Sequence, residues 1–126
     1  TGDVQISMSQ KLKLNGTLIV TTPQLLSLKD VIRGINMFIK VGVPILGVIE
    51  NMSYLEDGKE KKYIFGESKT RTLLLKENVN LLEELPFNTK VPKSCDEGKP
   101  YCFNYKDDYA LKFSNITGEV LKKLQN

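Results

Sequence analysis

The chain contains no histidine and no tryptophan, and only two of its 126 residues are cysteine. Without imidazole, catalytic triads built on a histidine base are excluded, and a conventional zinc hydrolase loses its commonest ligand. Cys95 and Cys102 lack the CxxC spacing of a redox or zinc motif, so they read as unpaired thiols of a reducing compartment. No stretch reaches the roughly 18 apolar residues of a membrane helix, and the amino terminus lacks a basic and apolar signal-peptide layout. The expectation is a soluble protein with no membrane partner.

A block of one charge is also missing. The net charge of +3 comes from lysines interspersed with Asp and Glu, which reads as a solvated face and gives no case for a nucleic-acid partner. What remains is 40% hydrophobic and 26% charged content, enough for one compact domain over 1–126 and too little for two. Thr1-Gly2-Asp3 opens without methionine in a polar, turn-like stretch, which suggests a cut inside a longer chain.

The most informative stretch is Val43-Pro44-Ile45-Leu46-Gly47-Val48-Ile49, which ends abruptly in Glu50-Asn51-Met52-Ser53. A continuous apolar run bounded by Gly and Pro suits a strand buried on both faces, as in parallel α/β sheets. Ligands of such sheets bind beyond the carboxyl ends of the strands, so Asn51, with both donors and acceptors, is placed to read a heteroaromatic edge such as a purine. A strand-end asparagine also commonly closes a turn onto its own backbone, and on the residues alone that is the simpler reading.

Around this run the pattern is βαβ. Gly16 to Thr22 reads as a buried strand, and Thr22-Pro23 as an N-cap followed by proline at the first helical position. Leu25, Leu28, Ile32, Ile35 and Phe38 give the following helix one apolar face, expected to be core, and Gly42 with Pro44 ends it. A right-handed crossover between parallel strands is therefore expected. Val4, Ile6 and Met8 alternate with polar residues, which by period favours a short strand. Leu55 to Lys62 is a polar loop or hairpin around Asp57-Gly58, Ser68 to Asn78 has helical composition, and Asn80 to Pro86 suits a short strand. Thr89 to Tyr105 shows no sustained period and reads as a long loop. An amphipathic helix from about Asp107 closes the chain, with Asp107 and Asp108 at its positive end.

Five segments carry a resemblance: Thr1 to Gln5, Thr21 to Gln24, Lys40 to Tyr54, Ile64 to Gly66, and Ser94 to Pro100. In that order and spacing they resemble the C-terminal half of the Mrp/ApbC family, MinD/ParA-like P-loop ATPases that act as iron-sulfur cluster carriers. The resemblance implies a partial doubly wound α/β fold, a mainly parallel sheet flanked by helices. It implies that Asp3 lies in the second switch segment, that Asp3 to about Lys11 is helical, that Asn51 contacts adenine, and that Leu85-Pro86 lies near base or ribose. It further implies ATP and Mg²⁺ in a full-length parent, iron-sulfur apo-proteins as acceptors, and an intracellular location, cytoplasmic or organellar (mitochondrion or plastid). A chain without the family's central strand and P-loop helix would leave apolar sheet surface uncovered, so homo-oligomers, by self-association or an exchanged segment, are expected.

Three departures qualify this. No GxxxxGK[ST] pattern occurs in the chain, so it carries no phosphate cradle and is expected to hydrolyse no ATP alone. The family's Cys-x-x-Cys after Asn-Met-Ser-Tyr is missing between Leu55 and Tyr63, which argues against a cluster at the usual place and leaves no metal ligands to name. Asn88 stands where the family's Ile-Pro-Leu-Asp ends in Asp. The alternatives to a cluster carrier are a MinD/ParA-type positioning ATPase switch, or a non-enzymatic interaction module that has lost nucleotide and cluster binding. Weak basic character around Lys112, Lys122 and Lys123 gives the switch little support.

Overall fold

The computed structural model describes residues 3–125. Its centre is the βαβ unit: β1 (Thr17–Thr21), α2 (Leu25–Lys40) and β2 (Ile45–Glu50), preceded by α1 (Asp3–Lys11). A hairpin of β3 (Leu55–Asp57) and β4 (Glu60–Lys62) leads to α3 (Thr70–Lys76) and β5 (Leu81–Glu84). Two short helices, α4 (Lys90–Asp96) and α5 (Tyr101–Asn104), precede the long α6 (Asp108–Leu124). The three longer strands form a parallel sheet in the order β1-β2-β5, so the apolar run is the middle strand.

Alternation along β2 explains why this strand is apolar as far as Ile49. Val48 packs on one face with Val31 and Ile35 of α2, Leu74 of α3 and Val79. Ile49 packs on the other with Leu85 and with Ile116 of α6. Residues pointing to opposite faces of the strand thus enter two separate cores, the signature of a middle strand covered on both sides. Lys112 adds an ion pair from α6 to Glu83 of β5 at 3.0 Å.

Leu46 is the extra residue of a bulge, because Thr17 pairs with Ile45 and Leu18 with Gly47. A Cβ at Gly47 would lie 2.5 Å from Leu82 Cγ, so only glycine lets β2 and β5 close together there.

Several expectations are corrected. The alternating Val4, Ile6 and Met8 lie on α1, as the family resemblance implied, and the strand reading fails because no neighbouring strand offers them a ladder. Thr22 does not cap α2. Gln24 occupies the N-cap without a side-chain bond, and the Thr22 hydroxyl is engaged by Ser27 Oγ at 2.8 Å instead. The buried stripe of α2 is Leu28, Val31 and Ile35, while Leu25 is exposed and Ile32 and Phe38 are half-buried. The expected loop from Thr89 to Tyr105 holds α4 and α5, each too short to display a helical period in sequence. Pro92 fits the first turn of α4, where its missing N–H costs nothing, and Gly98, at φ +66°, ends it.

Candidate functional site

The carboxyl ends of the three parallel strands lie side by side and are stitched together by backbone. Asn51 N–H donates to Thr21 O at 2.7 Å, and Leu85 N–H to Glu50 O at 2.8 Å. Ser53 N–H then donates to Leu85 O at 2.9 Å and Phe87 N–H to Tyr54 O at 2.9 Å. The turn carrying Asn51 is therefore held between the ends of β1 and β5.

Within that turn Met52 adopts φ +54°, a left-handed conformation, and donates its N–H to Asn51 Oδ1 at 2.9 Å. The turn-closing use of the side chain is thus realised, and it does not exhaust the amide. Its Nδ2 has no protein partner among the described residues and remains a donor. Asn51 and Met52 border a cleft of about 1180 Å³ that runs along β1 and α2. Asp3, exposed in the first turn of α1, borders the same cleft, as do Thr22 and Ser27. Asp3 and Asn51 are brought to one cavity from far apart in sequence. Pro86 is not: it is buried between Leu85 and Phe87 and does not line the cleft. The other residues of the expected switch segment, Thr1 and Gly2, lie outside the described residues.

One residue beside Asn51 escaped sequence reasoning. Glu50 is 0% exposed, yet its carboxylate has no cation beside it among the described residues. It accepts instead from Ser53 Oγ on Oε1 and from Ser68 Oγ, at 2.5 Å, on Oε2. Ser68 in turn accepts from Thr70 N–H at 3.1 Å and sits 2.8 Å from Thr70 Oγ1. An acidic residue closing an otherwise apolar strand was the available signal.

Past β5, Asn88 Nδ2 donates to Tyr101 Oη at 3.0 Å, and Tyr101 donates to Asp107 Oδ2 at 2.5 Å. Asp107 is also the N-cap of α6, accepting from Ala110 N–H at 3.0 Å. The Tyr101 hydrogen bond, then the Ala110 N–H, hold its carboxyl below the usual range, while partial burial and Asp107 push the Tyr101 phenol up to about 12. Asn88, the departure from the family pattern, is thus part of a clamp between the end of β5 and α6. A separate cavity of about 600 Å³ at the outer edge of β5, between α3 and α6, contains none of the sequence-predicted residues.

The cleft and Asn51 Nδ2 fit a nucleobase. The triphosphate and Mg²⁺ of the family do not fit the described residues, since no glycine-rich loop or P-loop lysine borders the cleft, and no hydrolytic step can be written here. Among the described residues no group of three His, Cys, Asp or Glu side chains could hold a metal. Cys95 is exposed and Cys102 half-buried, both free thiols, and the β3-β4 hairpin fills the interval where the family carries its paired cysteines. No helix among these residues is long and apolar enough to cross a membrane.

An open parallel sheet flanked by helices, with a polar rim at its strand ends, defines an α/β protein of the nucleotide-binding class. Residues 1–121 match the ParA family model described as NUBPL iron-transfer P-loop NTPase. The chain belongs to that family. It is 39% identical over 128 aligned residues to the iron-sulfur cluster transfer protein NUBPL of Dictyostelium discoideum, covering 99% of this chain and 40% of the relative. Against the iron-sulfur cluster carrier protein of Aquifex aeolicus the identity is 36%, over 98% of this chain and 35% of the relative. Among solved structures, the nucleotide-binding protein from Archaeoglobus fulgidus in complex with ADP superposes with a TM-score of 0.67 at 35% identity, covering 78% of this chain and 41% of that one. The cell division ATPase MinD of Pyrococcus furiosus gives 0.65 at 25% identity, covering 86% and 43%. The chain therefore spans well under half the length of these proteins.

Proposed function

We propose that this chain forms the base-recognition side of an ATP-binding iron-sulfur cluster carrier, with Asn51 reading adenine through its free Nδ2. The observation that carries the reading is the position of that amide: it stands at the carboxyl end of the middle strand, on the wall of a cleft large enough for a nucleoside. The ADP complex of the similar Archaeoglobus protein and the carrier names of the relatives support it. Asp3, on the same cleft, is read as part of the switch segment, and Pro86 as shaping the turn beside the base. Phosphate and Mg²⁺ chemistry, and any cluster thiolates, belong to parts of a longer protein that these residues do not supply.

Oligomers fit the exposed side of β1, where Leu18 and Val20 are 38% and 63% exposed; both side chains also border the cleft, so self-association of this chain through that face would compete with a nucleoside for it. Acceptors would be iron-sulfur apo-proteins, and a mitochondrial location follows the Arabidopsis relative named as a mitochondrial iron-sulfur protein required for NADH dehydrogenase. A MinD-like positioning role is less favoured, since Lys112 and Lys122 of α6 are paired with Glu83 and Glu119, which leaves Lys123 as a single basic residue too isolated to make a membrane-binding face.

Calorimetric titration with ADP and GDP tests the reading. ADP binding that exceeds GDP binding, and falls to the GDP level in Asn51→Ala, is the expected result; equal affinity of the two nucleotides for the unaltered chain would exclude base reading by Asn51.

A further inference from the structure

Ser53 and Ser68 bracket the whole excursion from Tyr54 to Glu67, which includes the β3-β4 hairpin and the exposed Tyr63-Ile64-Phe65 stretch. Their hydroxyls converge on the two oxygens of one carboxylate, that of the fully buried Glu50. Ser53 is itself fastened by its N–H to Leu85 O, and Ser68 caps the approach to α3 through Thr70. A buried carboxylate without a cation depends on its hydrogen-bond donors to offset lost hydration, so neither hydroxyl can leave cheaply. Glu50 is also the residue immediately before Asn51.

We propose that Glu50 is a positioning residue, a clasp that joins the Asn51 turn to the hairpin excursion so that the two move as one unit. The base of the hairpin is closed by a carboxylate whose other oxygen fixes the turn that aims Asn51. Displacement at one end is then felt at the other, because the shared group cannot satisfy one hydroxyl in a new place without stretching from the other. Tyr54, 1% exposed and with its ring 6.0 Å from that of Tyr63 and 4.5 Å from Lys61 Nζ, packs the entering strand against the returning one and makes the excursion stiff enough to transmit this. The ligand-linked half of the proposal rests on adenine reading by Asn51; the mechanical half does not.

Amide hydrogen exchange on the whole chain separates the two. Ser68→Ala removes one arm of the clasp at a half-buried position outside the Asn51 turn, and Ser68→Thr restores a hydroxyl. In Ser68→Ala, exchange is expected to rise about tenfold both in the hairpin and at the Met52 N–H, which Ser68 does not touch, with Val48 unchanged as the control for global folding. Ser68→Thr should return both to the unaltered rates. Faster exchange confined to residues near Ser68, with Met52 unmoved, overturns the clasp whatever the chain binds. Adenosine added to the unaltered chain should slow hairpin exchange, and Ser68→Ala should abolish that slowing. Adenosine that shifts the Asn51 side-chain resonances and leaves hairpin exchange untouched overturns the coupling. Absence of any adenosine binding counts against base reading by Asn51, with the clasp then decided by the Met52 result.

Discussion

Tyr101 donates its hydroxyl to Asp107 Oδ2 at 2.5 Å, so a side chain of the short helix α5 is bonded to the residue that caps α6. The phenol oxygen simultaneously accepts from Asn88, which ties the chain leaving β5 into the same cluster. Removing the hydroxyl in Tyr101→Phe should lower stability by about 1 kcal/mol, below the usual range for a hydrogen bond to a charged group because both groups are partly exposed. Urea unfolding monitored by circular dichroism measures it, and an unchanged midpoint would show that the clamp carries no stability.

The same pair predicts a pH dependence with two limbs. Asp107 has a lowered folded pKa, so its contribution is present above the ordinary carboxylate range and is lost as pH falls through the folded value. Tyr101, raised from 10.0 to about 12, contributes below 10.0 and loses that contribution as pH rises toward about 12. Melting temperature should therefore fall at both extremes, and Tyr101→Phe should flatten the alkaline limb. An alkaline limb of equal slope in the variant would assign it to other groups.

Gly47→Ala places a Cβ against Leu82 across the β2-β5 pair. Overpacking between paired strands typically costs about 1–3 kcal/mol, and Leu82→Ala in the same chain should recover part of it. A double variant no more stable than Gly47→Ala alone would point to backbone strain as the cause.

Ile35 is fully buried in the core between α2 and β2. Ile35→Ala should cost about 2–5 kcal/mol, whereas Leu25→Ala, on the exposed end of the expected stripe, should be nearly silent. Comparable losses from the two would contradict the buried stripe described for α2.

Val20→Lys places a charge on the open side of β1. Light scattering at rising concentration should show association of the unaltered chain and a monomer for the variant. A strictly monomeric unaltered chain would remove the case for oligomers through this face.

The parts legible in the sequence were those where burial is uniform over a whole element. The run ending at Ile49 is apolar because both faces of β2 are covered, and its abrupt end at Glu50-Asn51 marks the strand terminus where the cleft lies. The period of α1 misleads, and only the resemblance points to its helix, because none of Val4, Ile6 and Met8 is buried and no packing constraint writes a helical period into them. The stripe on α2 is only partly legible for a related reason: Leu25, in the first turn, is left exposed, and Val31 is buried in its place beside Leu28 and Ile35. The Glu50 clasp could not be seen at all, since Ser68 is brought to the carboxylate only by the hairpin's return. Asn88 reads in sequence only as a departure from a family pattern, because the Tyr101 and Asp107 side chains that give it a role are brought beside it by the fold.

The most direct test observes the Asn51 amide itself. In a chain labelled with ¹⁵N at asparagine, adenosine should shift the Asn51 side-chain NH₂ pair, leave the exposed Asn36 pair in place, and produce a smaller effect when guanosine replaces it. An Asn51 NH₂ pair that stays fixed at saturating adenosine, or that shifts equally with guanosine, would contradict base recognition at the end of β2.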